Sequence, residues 1–266
     1  MLRSLFSSQK SERKLIEIFL IGFFYASISI LLSLWVFPQN SSLAMVFLSV
    51  LPIIYVLQAT LRKEEQKEED FNSEKWLLKQ HLNKMIFFFF LFLGFVFAFG
   101  IWAFALGPEK TSIIFEVQTE TVEHINHLTG GSILEGTFFK ILSNNLKVML
   151  FSIIFALFYG AGAIFILAWN ASVMGLVIGV LARNTFGLSA LPLAFTKYLI
   201  HGIPEMFAYL CAAIAGGIFF IAVLNEDILK EGKRKRVLID ISCMIALSIG
   251  LLVIAAIIEI YVSPLI

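Results

Sequence analysis

Apolar residues in this chain fall in long, almost uncharged runs, without the shorter periodicities of a half-buried soluble element. Runs at 15–37, 43–61, 85–106, 203–224 and 237–258 are each close to the roughly 20 residues a helix needs to cross a bilayer core. They predict an all-α, polytopic transmembrane helical bundle. Between 146 and 182 one run of 37 residues carries a single charge, Lys147, at its edge. At about 1.5 Å per residue it makes about 55 Å of helix, just short of two passes through a core of about 30 Å. Two short crossings are expected there, with the turn near Asn170. The run at 188–200 is too short to cross and is read as re-entrant or lying at the outer surface. Gly202 is expected to break it and Pro204 to open the next helix, since proline is tolerated in a first turn. The count is about seven spans (six to seven), with short or re-entrant helices in the C-terminal half.

Charge sets the expected orientation. Arg3, Lys10, Arg13 and Lys14 precede the first span, and Lys230, Lys233, Arg234, Lys235 and Arg236 precede the last. Basic residues stay on the cytoplasmic side. This places the N-terminus inside and, with seven spans, the C-terminus outside the cell membrane. The first run lacks a small-residue cleavage site and reads as a retained span. Three regions follow: 1–106, three spans with a charged cytoplasmic loop at 62–84; 107–145, an external amphipathic helical region; and 146–266, a C-terminal bundle. Loop 62–84 holds six basic and six acidic residues and ends in an apolar stripe, Trp76 to Met85, expected on the membrane surface.

In the external region Ser112 is placed to cap a helix reaching Leu128, with Glu116, Glu120 and Glu123 opposite its apolar side. A second amphipathic helix is expected over 133–146. His124 and His127 are spaced i, i+3, but two ligands are weak evidence for a metal, and they read as surface histidines. The third span carries nine phenylalanines, which suits a lipid-facing helix.

Composition agrees with a membrane protein. The chain is 59% hydrophobic and 15% charged, against about 25% charged in soluble domains. A net charge of +1 gives no reason to expect nucleic acid. Cys211 and Cys243 lie in apolar runs and read as core residues. No G-x-S-x-G, phosphate loop, paired-cysteine or H-E-x-x-H pattern occurs. Hence no enzyme, catalytic residue, metal or cofactor is expected.

The polar residues inside these runs are the candidate site. Asn144 and Asn145 stand where a helix enters the membrane. Gly160 and Gly162, Gly175 and Gly179, then Gly202, Gly216 and Gly217 remove side chains where helices pack closely. Asn170 is cheap at a turn and costly at mid-membrane. His201 and Glu205 are spaced i, i+4, with Lys197 nearby. Either Glu205 sits in the first turn of its span, where the helix dipole favours it, or these groups form a proton- or ion-coupled site.

The order of Asn144-Asn145, Gly160-x-Gly162, Asn170 with Gly175 and Gly179, His201-Gly202-x-x-Glu205 and Gly216-Gly217 resembles the stage II sporulation protein M family. That resemblance implies a non-enzymatic integral membrane scaffold or anchor that positions partner proteins at the cell envelope. Ala171 stands where the family usually has glycine, and three spans precede the matching region. A transporter or channel-like protein with a polar intramembrane site around His201 and Glu205 is the alternative. Expected partners are membrane lipid, envelope proteins and a second copy in a homo-oligomer.

Overall fold

A computed structural model describes residues 8–65, 74–129, 134–156, 161–185, 187–226 and 228–265. Among the described residues the structure is helical, with no strand. The helices are α1 (Ser8–Val36), α2 (Ser41–Glu65), α3 (Glu74–Ala105), α4 (Gly107–Ile114), α5 (Glu116–Thr129), α6 (Leu134–Ala156), α7 (Ala161–Asn184), α8 (Leu191–Leu224) and α9 (Glu231–Tyr261). Short 3-10 turns occupy Pro38–Asn40, Gly187–Ala190 and Ser263–Leu265. Among the described residues six segments are long and apolar enough to cross a membrane: Leu15–Val36, Met85–Ala105, Thr137–Ala156, Ile164–Asn184, Gly187–Leu224 and Glu231–Leu265. A shorter apolar stretch, Pro38–Ile54, covers the start of α2. The all-α polytopic bundle expected from the apolar runs is the observed architecture.

The chain divides into two compact units. The first holds residues 1–118 and 171–179, so α1 to α4 pack with the middle of α7. Its core is aromatic: Phe92, Phe95, Phe99 and Phe115 are fully buried, and Phe99 meets Phe115 edge-on at 6.2 Å. The third span is therefore a core helix, half of it buried, and not the lipid-facing one its phenylalanine content suggests. Lipid is as apolar as these rings, so close fit and not apolarity selects the helix face that packs inward. Backbone approach allows that fit. A Cβ on Gly22 would lie 2.7 Å from the Leu91 carbonyl oxygen, and one on Gly94 would collide with that of Phe19. Gly175 and Gly179 of α7 do the same against α3, where a Cβ would come within 2.6 Å of Phe99 Cβ and 2.5 Å of the Gly100 oxygen, respectively.

The first unit also holds a fully buried polar node. Ser42 Oγ donates to Gln118 Oε1 at 2.5 Å and accepts from the Val117 amide at 3.2 Å. Gln118 Nε2 donates to Ser172 Oγ at 3.2 Å. Ser41 Oγ donates to the Ile113 carbonyl at 3.2 Å. These bonds tie the start of α2 to the α4–α5 junction and to α7.

The second unit, residues 119–170 and 180–266, is built on α6, α8 and α9. Met149, Ala208, Tyr209, Ala212 and Leu252 form its buried apolar cluster, flanked by Leu146, Ile153 and Leu251.

Several expected boundaries move. Asn170 lies inside α7 and not at a turn. The two crossings drawn from 146–182 are α6, which starts at Leu134, and α7, which ends at Asn184. The residues joining them, and Gly160 with them, lie outside the described residues. The amphipathic helix expected at 133–146 is the first part of α6. The run at 188–200 is neither re-entrant nor separate: α8 is one helix of 34 residues, with Gly202 and Pro204 inside it. Proline is accommodated in a membrane-spanning helix because neighbouring helices and side chains satisfy the freed backbone. Ser112 caps no new helix; it lies in α4 and donates to the Glu109 carbonyl at 2.7 Å. The helix expected from Ser112 to Leu128 is in fact two, α4 and α5, broken at Phe115. Glu116, Glu120 and Glu123 are exposed as expected, whereas the side chains of His124 and His127 lie outside the described residues. The stripe from Trp76 begins α3 directly.

Candidate functional site

One face of α8 collects the polar groups of the second unit. His201, Glu205, Ala208, Ala212 and Gly216 recur at spacings of three and four, so they lie on one side of the helix. Each meets a neighbouring element. His201 Nδ1 and Ser263 Oγ are 2.9 Å apart, joining α8 to the turn that follows α9. Asn145 Nδ2 of α6 donates to Glu205 Oε1 at 2.6 Å. Ser248 Oγ of α9 donates to the Ala208 carbonyl at 2.8 Å. Ala208, Tyr209 and Ala212 then enter the apolar cluster. Gly216 closes the seam: a Cβ there would lie 2.5 Å from the Ile153 oxygen. The contacts 145–205 and 153–216 show α6 and α8 running parallel, and 248–208 with 263–201 shows α9 antiparallel to α8.

The end of this face around His201 and Glu205 is the chemically distinctive one. His201 is buried, its ring also donates a hydrogen bond to the Lys197 backbone, and Tyr198 stands edge-on to it at 6.0 Å. Pro204 has no amide hydrogen, so the helical bond it would give to the Ile200 carbonyl is missing beside the histidine. Glu259 of α9 lies within electrostatic range of Glu205, Tyr198 and Tyr209. Two carboxyl groups and an imidazole within spanning segments are able to hold or pass a proton. Among the described residues no three His, Cys, Asp or Glu side chains converge as a metal would require.

The candidates from the sequence sort into separate places. Asn145, His201 and Glu205 share this seam, whereas Asn144, next to Asn145, is half-buried on an adjoining face of α6. Gly202 is buried in α8, and Gly216 packs against α6. Gly217 does not pack: a Cβ there would meet nothing within 4 Å. Asn170 lies elsewhere, donating to the Ile166 carbonyl of its own helix at 2.8 Å. Gly162 is in the first turn of α7, and Gly175 and Gly179 belong to the first unit. Sequence reasoning missed Glu259 and Ser263. Glu259 falls just past the run at 237–258, and an acidic residue with Ile on both sides was the available signal.

The family model for stage II sporulation protein M matches residues 85–264. The chain belongs to the stage II sporulation protein M family. The match begins at the third span, well ahead of the motif region that carries the resemblance, and takes in Glu259 and Ser263. An uncharacterized protein of the archaeon Methanocaldococcus jannaschii is similar: 33% identical over 135 residues, 49% of this chain and 73% of that protein. No solved structure matches.

Proposed function

We propose that this protein is a non-enzymatic membrane scaffold that holds partner proteins at the cell envelope. The observation that carries the reading is the use made of the polar groups on α8. Asn145–Glu205, His201–Ser263 and Ser248–Ala208 are spent on joining helices, each at 2.9 Å or less. Polar groups paired between helices inside a spanning bundle hold it together, and a rigid bundle is what an anchor needs. Family membership supports the same reading. The test is isolation of the full chain from its own membranes after mild cross-linking, with flux measured in parallel on the purified protein in liposomes. A partner retained at fixed stoichiometry, with no solute or ion flux, is the expected result. Flux that disappears in Glu205→Gln would contradict it.

A second reading, a proton- or ion-coupled transporter, is favoured by one observation. Glu259, on another helix, lies within electrostatic range of Glu205, and the donor to Glu205 is the neutral amide of Asn145, not a cation. Ionisable groups inside spanning segments mark transport paths often enough for the flux measurement to be decisive.

A further inference from the structure

We propose that the turn joining α8 to α9 is a binding surface for the headgroups of anionic phospholipids. Lys233, Arg234, Lys235 and Arg236 are consecutive residues of α9, and all four are exposed. Successive helical residues are about 100° apart, so four of them set positive charge around nearly the whole helix at one level. That level is fixed by apolar neighbours. Leu238 and Ile239 follow directly and are 53% and 51% exposed. Ile221, Val223 and Leu224, at the end of α8, are 58%, 49% and 58% exposed. Exposed aliphatic side chains on spanning helices face lipid tails, so the ring of cations stands at the phosphate layer. Leu229, 77% exposed within the turn, adds an apolar contact beside it.

Basic residues outnumber the acidic ones around this turn. Glu226, on the turn, and Glu231, at the tip of α9, precede it in sequence. They are thus on the aqueous side of the four cations. Asp240 lies one turn into the apolar side, in i, i+4 register with Arg236. Lys230 donates to the Asn225 carbonyl at 3.1 Å and so closes the end of α8. Arg234 and Lys235 are the pair to neutralise. A phosphodiester headgroup with net negative charge complements this surface, and a zwitterionic one does so less. A basic residue near an anionic membrane surface contributes about 1 kcal/mol, equivalent to about fivefold in binding.

The experiment titrates the detergent-purified full chain with phosphatidylglycerol and with phosphatidylcholine and counts retained lipids by native mass spectrometry. Wild type is expected to retain phosphatidylglycerol several-fold better. Arg234→Gln/Lys235→Gln should lose about tenfold or more of that binding, keep its phosphatidylcholine binding and keep its thermal stability. Lys110→Gln, an exposed cation on α4, should lose none. Equal retention of the two lipids by wild type, an unchanged double variant, or an equal loss in Lys110→Gln would overturn the proposal. Displacement of the lipid by millimolar inorganic phosphate would also overturn it, because the surface would then be taking a soluble anion.

Discussion

Asn145 on α6 gives its side-chain amide to the Glu205 carboxylate on α8, across 60 residues of sequence and a distance of 2.6 Å. The bond is a polar clamp between two parallel helices that also meet through Met149, Ala212 and Gly216. Interhelical hydrogen bonds within membranes contribute about 0.6 to 2 kcal/mol. Asn145→Leu and Glu205→Leu should each destabilise the protein, and the double variant should lose less than the two single losses added. A double-mutant cycle on thermal unfolding in detergent should give a coupling of about 1 kcal/mol; additive losses would mean that the two side chains do not act as a pair.

Gly216 and Gly217 are neighbours in sequence with opposite surroundings. A methyl group at 216 would press on the Ile153 carbonyl, and one at 217 would enter open space. Gly216→Ala should cost about 1–3 kcal/mol through overpacking. Gly217→Ala should be neutral or stabilising by up to about 1 kcal/mol through helix propensity. Gly175→Leu and Gly179→Leu should disrupt the first unit in the same way as the 216 variant. Melting temperatures of the purified variants check all four.

The Gln118 node predicts a loss at a position with no apparent chemistry. Gln118→Leu removes the acceptor of the Ser42 hydroxyl and the donor to Ser172. With all three side chains buried, the cost is about 1–3 kcal/mol. Limited proteolysis should show the α4–α5 junction cut sooner in this variant; an unaltered cleavage rate and melting temperature would show that the node bears no strain.

Asn170 should tolerate replacement. Its amide bonds within α7, to Ile166, so Asn170→Ala removes no interhelical tie. A change within about 0.5 kcal/mol is expected, against the larger loss at Asn145. Comparable losses at the two positions would place Asn170 in a packing role.

The helices were legible because lipid demands unbroken apolar length, and that demand survives in the order of residues. Their ends were less so. Asn170 and the Gly202–Pro204 pair look like breaks, and a helix inside a bundle accepts both: the amide turns back on its own backbone, and α8 runs on through its proline. Asn145, His201 and Glu205 stood out because polar groups are rare in such runs. The Ser42–Gln118–Ser172 node did not, since each residue is ordinary and they lie 54 and 76 residues apart. Gln118 left one trace: it falls between Ile114 and Val122 at i, i+4 spacing, on the side where an apolar residue would be expected. Glu259 joins the seam only because α9 runs antiparallel to α8, which no local pattern encodes.

The most direct test is water access to the seam itself. Cys211 and Cys243 are replaced, and single cysteines are placed at 201, 205 and 208, with exposed Asn184 at the end of α7 as the reference. Each is reacted in native membranes with a membrane-impermeant thiol reagent. A packed joint between helices predicts rapid labelling at 184 and protection at 201, 205 and 208. Labelling of 201 and 205 at the rate of 184 would mean that water reaches these groups, and a solute path would replace the scaffold as the reading of this bundle.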